Sequence, residues 1–455
     1  MSAPVLSIII LAAMFLLATV LPLNMGALAF VGAFLLGALV LGMSTNEILA
    51  NFPGGLFLTI VGVTYLFAIA QNNGTIDLLV RGAVRLVGSR VALIPWVMFA
   101  ITAVITAVGA LSPAAVAIIA PIALSFAGKY KISPLLMGMM VIHGAQAGGF
   151  SPIAVYGVTV NGIIAKTDLA FSPTALFLSS LIFNIVIAVV LFAVLGGRAL
   201  LSSRVGHFVE QAAEARMSVS VGAKAGTDVA FKGFGSGMYG PRDPAGDGVA
   251  ATRERSQRIP QLVTIAGLVV LAVVALGFKM DVGFVSITIA IVLALVSPAA
   301  QKGAINKISW STVLLICGML TFVGVLEEAG TIEFVSNGVA GMGMPLVAAL
   351  LICFIGAIVS AFASSTAILA ALIPLAVPFL STGEIGAIGV ICALAVAATI
   401  VDVSPFSTNG ALVLANAPEG VDKDKFYKQI LGYSGIVIAA GPVLAWLALV
   451  VPGWL

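Results

Sequence analysis

Apolar residues along this chain come in unbroken runs, not in alternation with polar ones. Continuous apolar stretches lie near 5–21, 26–43, 54–71, 172–197, 260–277, 282–297, 309–328 and 430–451. A helix of about 20 residues crosses the roughly 30 Å hydrocarbon core of a bilayer. Strands of a membrane barrel would instead alternate over segments of about 10 residues. Two further apolar stretches, 132–165 and 385–417, are interrupted by small residues, serine and proline. Two more, 91–127 and 345–380, break midway and read as re-entrant hairpins. Shorter amphipathic stretches lie at 75–88 and 331–342. The pattern predicts an all-α polytopic membrane protein with ten full spans and two hairpins.

The order of these segments repeats. Gly74-Thr75-Ile76-Asp77 recurs as Gly330-Thr331-Ile332-Glu333, each after an apolar span. The block from Ser112 to Gly157 maps without a gap onto Ser365 to Gly410, pairing Pro121 with Pro374 and Ser151-Pro152 with Ser404-Pro405. The chain therefore divides into a first repeat at 1–197, a linker at 198–259 and a second repeat at 260–455, with the hairpins near 91–127 and 345–380. Five full spans is an odd number, so the second copy is expected upside down relative to the first. Inverted repeats of this kind mark secondary transporters, whose sites lie at the midplane between the copies.

Composition agrees: 61% of residues are hydrophobic and 9% charged, against about 25% charged in soluble domains. Charge adds an orientation, because basic residues favour the cytoplasmic side. With the N-terminus outside, Arg81, Arg85, Arg90, Lys129, Lys131, Lys302, Lys307, Lys423, Lys425 and Lys428 fall inside, while Lys166 and Lys279 fall outside. The 198–259 linker, rich in Gly, Ala, Ser and mixed charge, is then cytoplasmic and reads as flexible. Its glycines form no phosphate loop, and nothing in the chain reads as a nucleic-acid surface. Val5–Leu21 lacks a basic leader and reads as a retained span. Cys317, Cys353 and Cys392 lie inside apolar runs without metal-ligand spacing.

Candidate chemistry concentrates where the helices break. Irregular backbone at membrane depth is tolerated only beside protein or water. The four breaks are Gly109-Ala110-Leu111-Ser112-Pro113-Ala114, Gly148-Gly149-Phe150-Ser151-Pro152, the stretch Ser360 to Thr366, and the stretch Asp402 to Gly410. Each starts a half-helix whose free N–H groups suit an anion. Hydroxyls and carbonyls at the same places suit a small hard cation. Ser112, Pro113, Gln146, Ser151, Ser365, Thr366, Ser404, Thr408 and Asn409 are the candidate substrate contacts. Ser112, Gly149, Ser364 and Asp402 are the candidate sodium ligands. Asp402, at membrane depth, reads as a cation or proton site or as an orienting hydrogen-bond acceptor. His143, one turn from Gln146, reads either as a core histidine or as a substrate or proton contact.

The chain resembles a known family at Asn24-Met25-Gly26-Ala27-Leu28, at Tyr65 to Gln71, and at His143 to Pro152. These stretches are similar to bacterial malonate/dicarboxylate carriers of the ion transporter superfamily, related to the divalent anion:sodium symporters. The resemblance implies an importer of a small dicarboxylate, malonate first, in the bacterial inner membrane. It implies an elevator mechanism in a homodimer, without an enzymatic cofactor; coupling to Na+, coupling to H+ and uniport are all open. A scaffold from 5–43, 172–197, 260–297 and 430–451 would carry a mobile domain of hairpins and interrupted spans. Sodium-coupled relatives carry Ser-Asn-Thr at each hairpin tip. Here Ser112 is followed by Pro113 and Ala114, and the second tip reads Ser364-Ser365-Thr366. A carrier of another anion or a sodium/proton antiporter remains the alternative. An intramembrane enzyme would need a motif such as GxSxG or HExxH, and the sequence has neither.

Overall fold

The protein is described by a computed structural model covering residues 2–453, except Pro22, Asp77, Val80, Arg81, 83–89, 202–246, Lys279, Ile332, 336–343, 362–364, Thr382 and Glu419. Eight principal helices precede the central segment. They are α1 (Ala3–Val20), α2 (Met25–Phe34), α3 (Gly54–Asn72), α4 (Leu93–Ala107), α5 (Ser112–Tyr130), α6 (Pro134–Gly149), α7 (Val155–Ile164) and α8 (Pro173–Val194). Eight follow it: α9 (Asp247–Gly277), α10 (Val282–Val296), α11 (Trp310–Glu328), α12 (Pro345–Ser360), α13 (Ser365–Ser381), α14 (Ala387–Ile400), α15 (Thr408–Ala415) and α16 (Lys423–Leu449). Six helices among the described residues are long and apolar enough to cross a membrane.

Local chemistry sets where these helices start. Ser133 and Ser172 cap α6 and α8, accepting from the N–H groups of Leu136 and Ala175. Each is followed by proline, whose missing N–H costs nothing in the first turn. Inside the helices, Thr64, Thr102, Thr321 and Thr399 donate back to the carbonyls of Ile60, Met98, Cys317 and Ala395. That bond satisfies a hydroxyl with no water nearby. α9 begins at Asp247, inside the segment expected to be linker. Its Ala-, Arg- and Glu-containing turns extend a helix that the apolar run nucleates, since each added residue gains a backbone bond. The rest of the expected linker and most of the 75–88 and 331–342 stretches lie outside the described residues.

Helix pairings repeat between the halves. In the first set α4 packs on α6, α6 on α8, α5 on α15 and α3 on α10. In the second α12 packs on α14, α14 on α16, α13 on α7 and α11 on α2. The end of α3 also meets the start of α11, where Lys307 Nζ donates to Asn72 Oδ1 at 2.6 Å.

Two bodies result. One core joins α4–α8 with α12–α16. The others gather α1, α2 and α11 with Ala367, Ala370 and Ala371 of α13, and α3, α9 and α10, while Leu111 and Val155 of the first body pack with α3 and α11 in a small shared core. Segments 172–197 and 430–451 (in α8 and α16), expected in the scaffold, bury Leu176, Ala188 and Ile430 in the same core as α4–α7 and α12–α15. Contact between the bodies is uneven: α13 packs on α11, whereas the matching pair, α5 and α3, makes no comparable contact.

The second body closes on glycine. A Cβ on Gly318 would overlap the Gly26 backbone at the α2–α11 crossing. One on Gly62 would lie 2.8 Å from the Gly283 carbonyl at the α3–α10 crossing. Gly318→Val and Gly62→Val are each expected to destabilise the protein by about 1–3 kcal/mol through overpacking. Gly435→Val, which meets nothing within 4 Å, should leave the melting midpoint in detergent unchanged.

Candidate functional site

Both interrupted spans break with the same backbone turn. After α6, the Ser151 N–H donates to the Gly148 carbonyl at 3.1 Å and the Ala154 N–H to the Ser151 carbonyl at 2.9 Å. After α14, the Ser404 N–H donates to Val401 at 3.1 Å and the Ser407 N–H to Ser404 at 2.9 Å. Gly157 and Gly410 seat against the carbonyls of Ser151 and Ser404, where a Cβ would overlap.

The second break carries the polar cluster. The Asn409 amide nitrogen donates to Ser112 Oγ at 2.8 Å and to Asp402 Oδ2 at 2.9 Å. Ser407, the cap of α15, donates to the carbonyls of Asp402 at 2.8 Å and Ser404 at 2.7 Å. A residue near the start of α15 thereby ties the first residue of α5 to a buried carboxylate. The groups facing Asp402 are Ser407, Asn409 and Tyr156, none of them cationic. Asn409 is fully buried, and its Oδ1 has no partner. The cluster therefore offers a carboxylate, an amide oxygen and a hydroxyl, the oxygen donors a hard cation takes.

The first break carries other chemistry. Tyr156 stands at the repeat position of Asn409 and lies near Thr366, the second residue of α13. Gly149 stands at the repeat position of Asp402, and Tyr156 packs over it, its ring 3.0 Å from where a Cβ would sit.

The structure thus brings Ser112, Asp402 and Asn409 together, and sets Gly149 and Thr366 around Tyr156. Ser365 accepts from Ser360 Oγ at 2.9 Å across the second hairpin. Pro113 occupies the first turn of α5. Ser404 Oγ accepts from the Phe406 N–H at 3.2 Å, and Ser151 Oγ from the Ile153 N–H at 3.5 Å, so both hydroxyls hold local turns. Thr408 is exposed at the start of α15. Ser364, one of the expected sodium ligands, lies outside the described residues.

His143 belongs to a separate network, which favours its reading as a core histidine. Asn184 Nδ2 donates to the Ser180 carbonyl at 2.9 Å, which turns Asn184 Oδ1 toward His143 Nδ1 at 2.8 Å. Nδ1 therefore carries the proton, and the Tyr433 hydroxyl donates to Nε2 at 2.6 Å. The network ties α6 to α8 and α16. Gln146 lies beside His143, fully buried, with neither side-chain polar atom in hydrogen-bond geometry.

Sequence reasoning passed over Ser407, Tyr156, Asn184 and Tyr433. For Tyr156 the signal was present, since it falls opposite Asn409 in the repeat. For Asn184 and Tyr433, single polar residues in apolar runs, only the α6–α8–α16 packing reveals a partner.

Residues 1–149 match the family model described as dicarboxylate carrier protein MatC N-terminus. The fold is similar to the crystal structure of the YdaH transporter of Alcanivorax borkumensis, described as having an unusual topology. That match is 16% identical with a TM-score of 0.55 and covers 88% of this chain and 86% of that one. No curated protein sequence matches the chain.

Ser112→Ala removes one of two acceptors of the Asn409 amide and should cost about 0.5–1.5 kcal/mol. Asn409→Leu strips the buried Asp402 carboxylate of a donor and should cost about 1–3 kcal/mol or more. Melting midpoints in detergent at neutral pH read the difference, and equal effects would deny the cluster its central amide.

Proposed function

We propose that this protein is a secondary carrier for a small dicarboxylate, malonate first, driven by a coupled cation. One observation carries the reading most directly: the break of the second half and the hairpin of the first meet at Ser112, Asn409 and Asp402. Half-helix starts and an oxygen-rich cluster then share one region inside the helical body. The match of the N-terminal third to a dicarboxylate carrier family supports the substrate class.

In the proposed mechanism a dianion lies against the starts of α5, α13 and α15, whose free N–H groups bind carboxylates without a lysine. The candidates are Ser112, Ser365, Thr366, Thr408 and Asn409. A cation or proton sits at Asp402 with Asn409 Oδ1 and Ser112 Oγ. A buried carboxylate without a cation is expensive at membrane depth, and so is a bare dianion, so each favours the other's binding. Moving one charge through 100 mV is worth about 2.3 kcal/mol. A dianion entering against a negative interior therefore needs about 4.6 kcal/mol per 100 mV, which two co-transported cations would offset.

The pairings that recur when the halves are exchanged support an inverted repeat, as does the end of α3 lying where α11 begins. The core shared by α4–α8 and α12–α16 supports an elevator in which those helices move past α1–α3 and α9–α11. The basic residues support an N-terminus outside and a cytoplasmic 198–259 segment in a bacterial inner membrane. The homodimer belongs to the same proposal. A sodium/proton antiporter is the second reading, favoured by Asp402 alone.

Proteoliposomes should accumulate labelled malonate under an inward sodium or proton gradient and not without one. Asp402→Asn should lower gradient-driven uptake about tenfold or more, the factor that 1.4 kcal/mol of lost binding gives. Absence of malonate uptake under every gradient would remove the dicarboxylate assignment.

A further inference from the structure

The proposed carrier needs a route by which a dianion reaches the cluster, and the following rests on that reading. α3 and α11 are 19 residues each and occupy equivalent places. Each presents the same face to a cavity. Thr64, Phe67, Ala68 and Gln71 line one of about 70 Å3. The equivalent positions of α11, ending in Glu327, line one of about 490 Å3. Even the loop residue at the mouth corresponds: Lys307 in the first cavity, Asn51 in the second.

The two mouths differ in charge. At the first, Lys307 Nζ donates to Asn72 Oδ1 at 2.6 Å and Gln71 Oε1 at 3.4 Å. Among the described residues, no carboxylate lines that cavity. An ammonium has three donors, and among the described residues this one is held by neutral oxygens alone. At the second mouth Glu327 replaces Gln71, and Lys166 brings a compensating charge. The first cavity also runs up to the hairpin tip, Gly109-Ala110-Leu111, immediately before Ser112. Gly109 has φ +128, and a Cβ there would lie 2.6 Å from Val63 Cγ1 on α3. The tip therefore rests on α3 through a residue without a side chain.

We infer that Lys307, positioned by Gln71 and Asn72, is an anion-receiving subsite that takes one carboxylate of the dianion at the mouth of the path to the α4–α5 hairpin. Gln71 and Asn72 orient the ammonium without neutralising it. A carboxylate at this mouth, on the face the basic residues assign to the cytoplasm, exchanges places with an amide oxygen on its way to or from the free N–H groups at the start of α5. The opposite mouth, with its mixed charges, offers no equivalent, so the subsite acts from one face of the membrane only.

The test compares wild type, Lys307→Gln and Lys307→Arg in proteoliposomes, measuring zero-trans malonate flux separately from each face. Lys307→Gln should raise KM about fivefold from the Lys307 face, the scale of a solvent-exposed charge contact. It should leave kcat and the KM from the opposite face within about twofold. The rise should shrink at high salt, where exposed charges are screened. Lys307→Arg should restore KM. Unchanged KM from both faces would overturn the subsite, and so would an equal rise from both faces, which would mean Lys307 acts through the fold. Wild-type protein that carries no dicarboxylate would remove the carrier reading and the subsite together. Wild-type transport indifferent to Lys307→Gln would remove the subsite alone.

Discussion

Lipid offers no hydrogen bonds, so every place where a membrane helix stops short must find its polar partners inside the protein. That constraint organises this structure. The two interrupted spans close their own turns through paired serine carbonyls and through Gly157 and Gly410, which let the chain fold tightly back. At the second break Asn409 reaches Ser112, beside the hairpin tip of the other half, and at the first Tyr156 lies near Thr366.

The two breaks occupy matching positions but differ in chemistry. At the second an amide bridges a hydroxyl and a carboxylate and keeps one oxygen unpaired. At the first, a tyrosine covers a glycine near a threonine. Divergence of this sort fits a repeat that keeps its backbone while its two sites specialise. Of the two breaks, only the one at Asp402 carries a carboxylate, so in the proposed carrier the coupling ion has one built site and not two alike. The His143–Asn184–Tyr433 network has a different part. It joins α6, α8 and α16 across the interior of the larger body and helps that body behave as one piece.

The same asymmetry appears between the bodies. α13 lies against α11, while α5 stands off α3 and leaves a cavity between them. Glycines lock α2 to α11 and α3 to α10 within the smaller body, where close backbone approach yields dispersion contact that lipid cannot replace. The bodies meet each other along smaller patches, among them Ala367, Ala370 and Ala371 of α13.

The sequence by itself determined the helical class and the places where helices break, because each is written in local chemistry. Apolar run length answers to bilayer thickness, and Ser, Pro and Gly punctuate backbone within a few residues. Ser112, Asp402 and Asn409 were legible for that reason. Tertiary structure alone decided which of these residues touch. It separated His143 from the cluster and gave Ser404 and Ser151 local turns to hold. It moved α8 and α16 into the body of the hairpins and made a partner of Tyr433. Those outcomes depend on how helix faces of nearly uniform apolarity interlock. In lipid, hydrophobicity does not distinguish one apolar face from another, so the choice falls to shape, small residues and a few long-range hydrogen bonds.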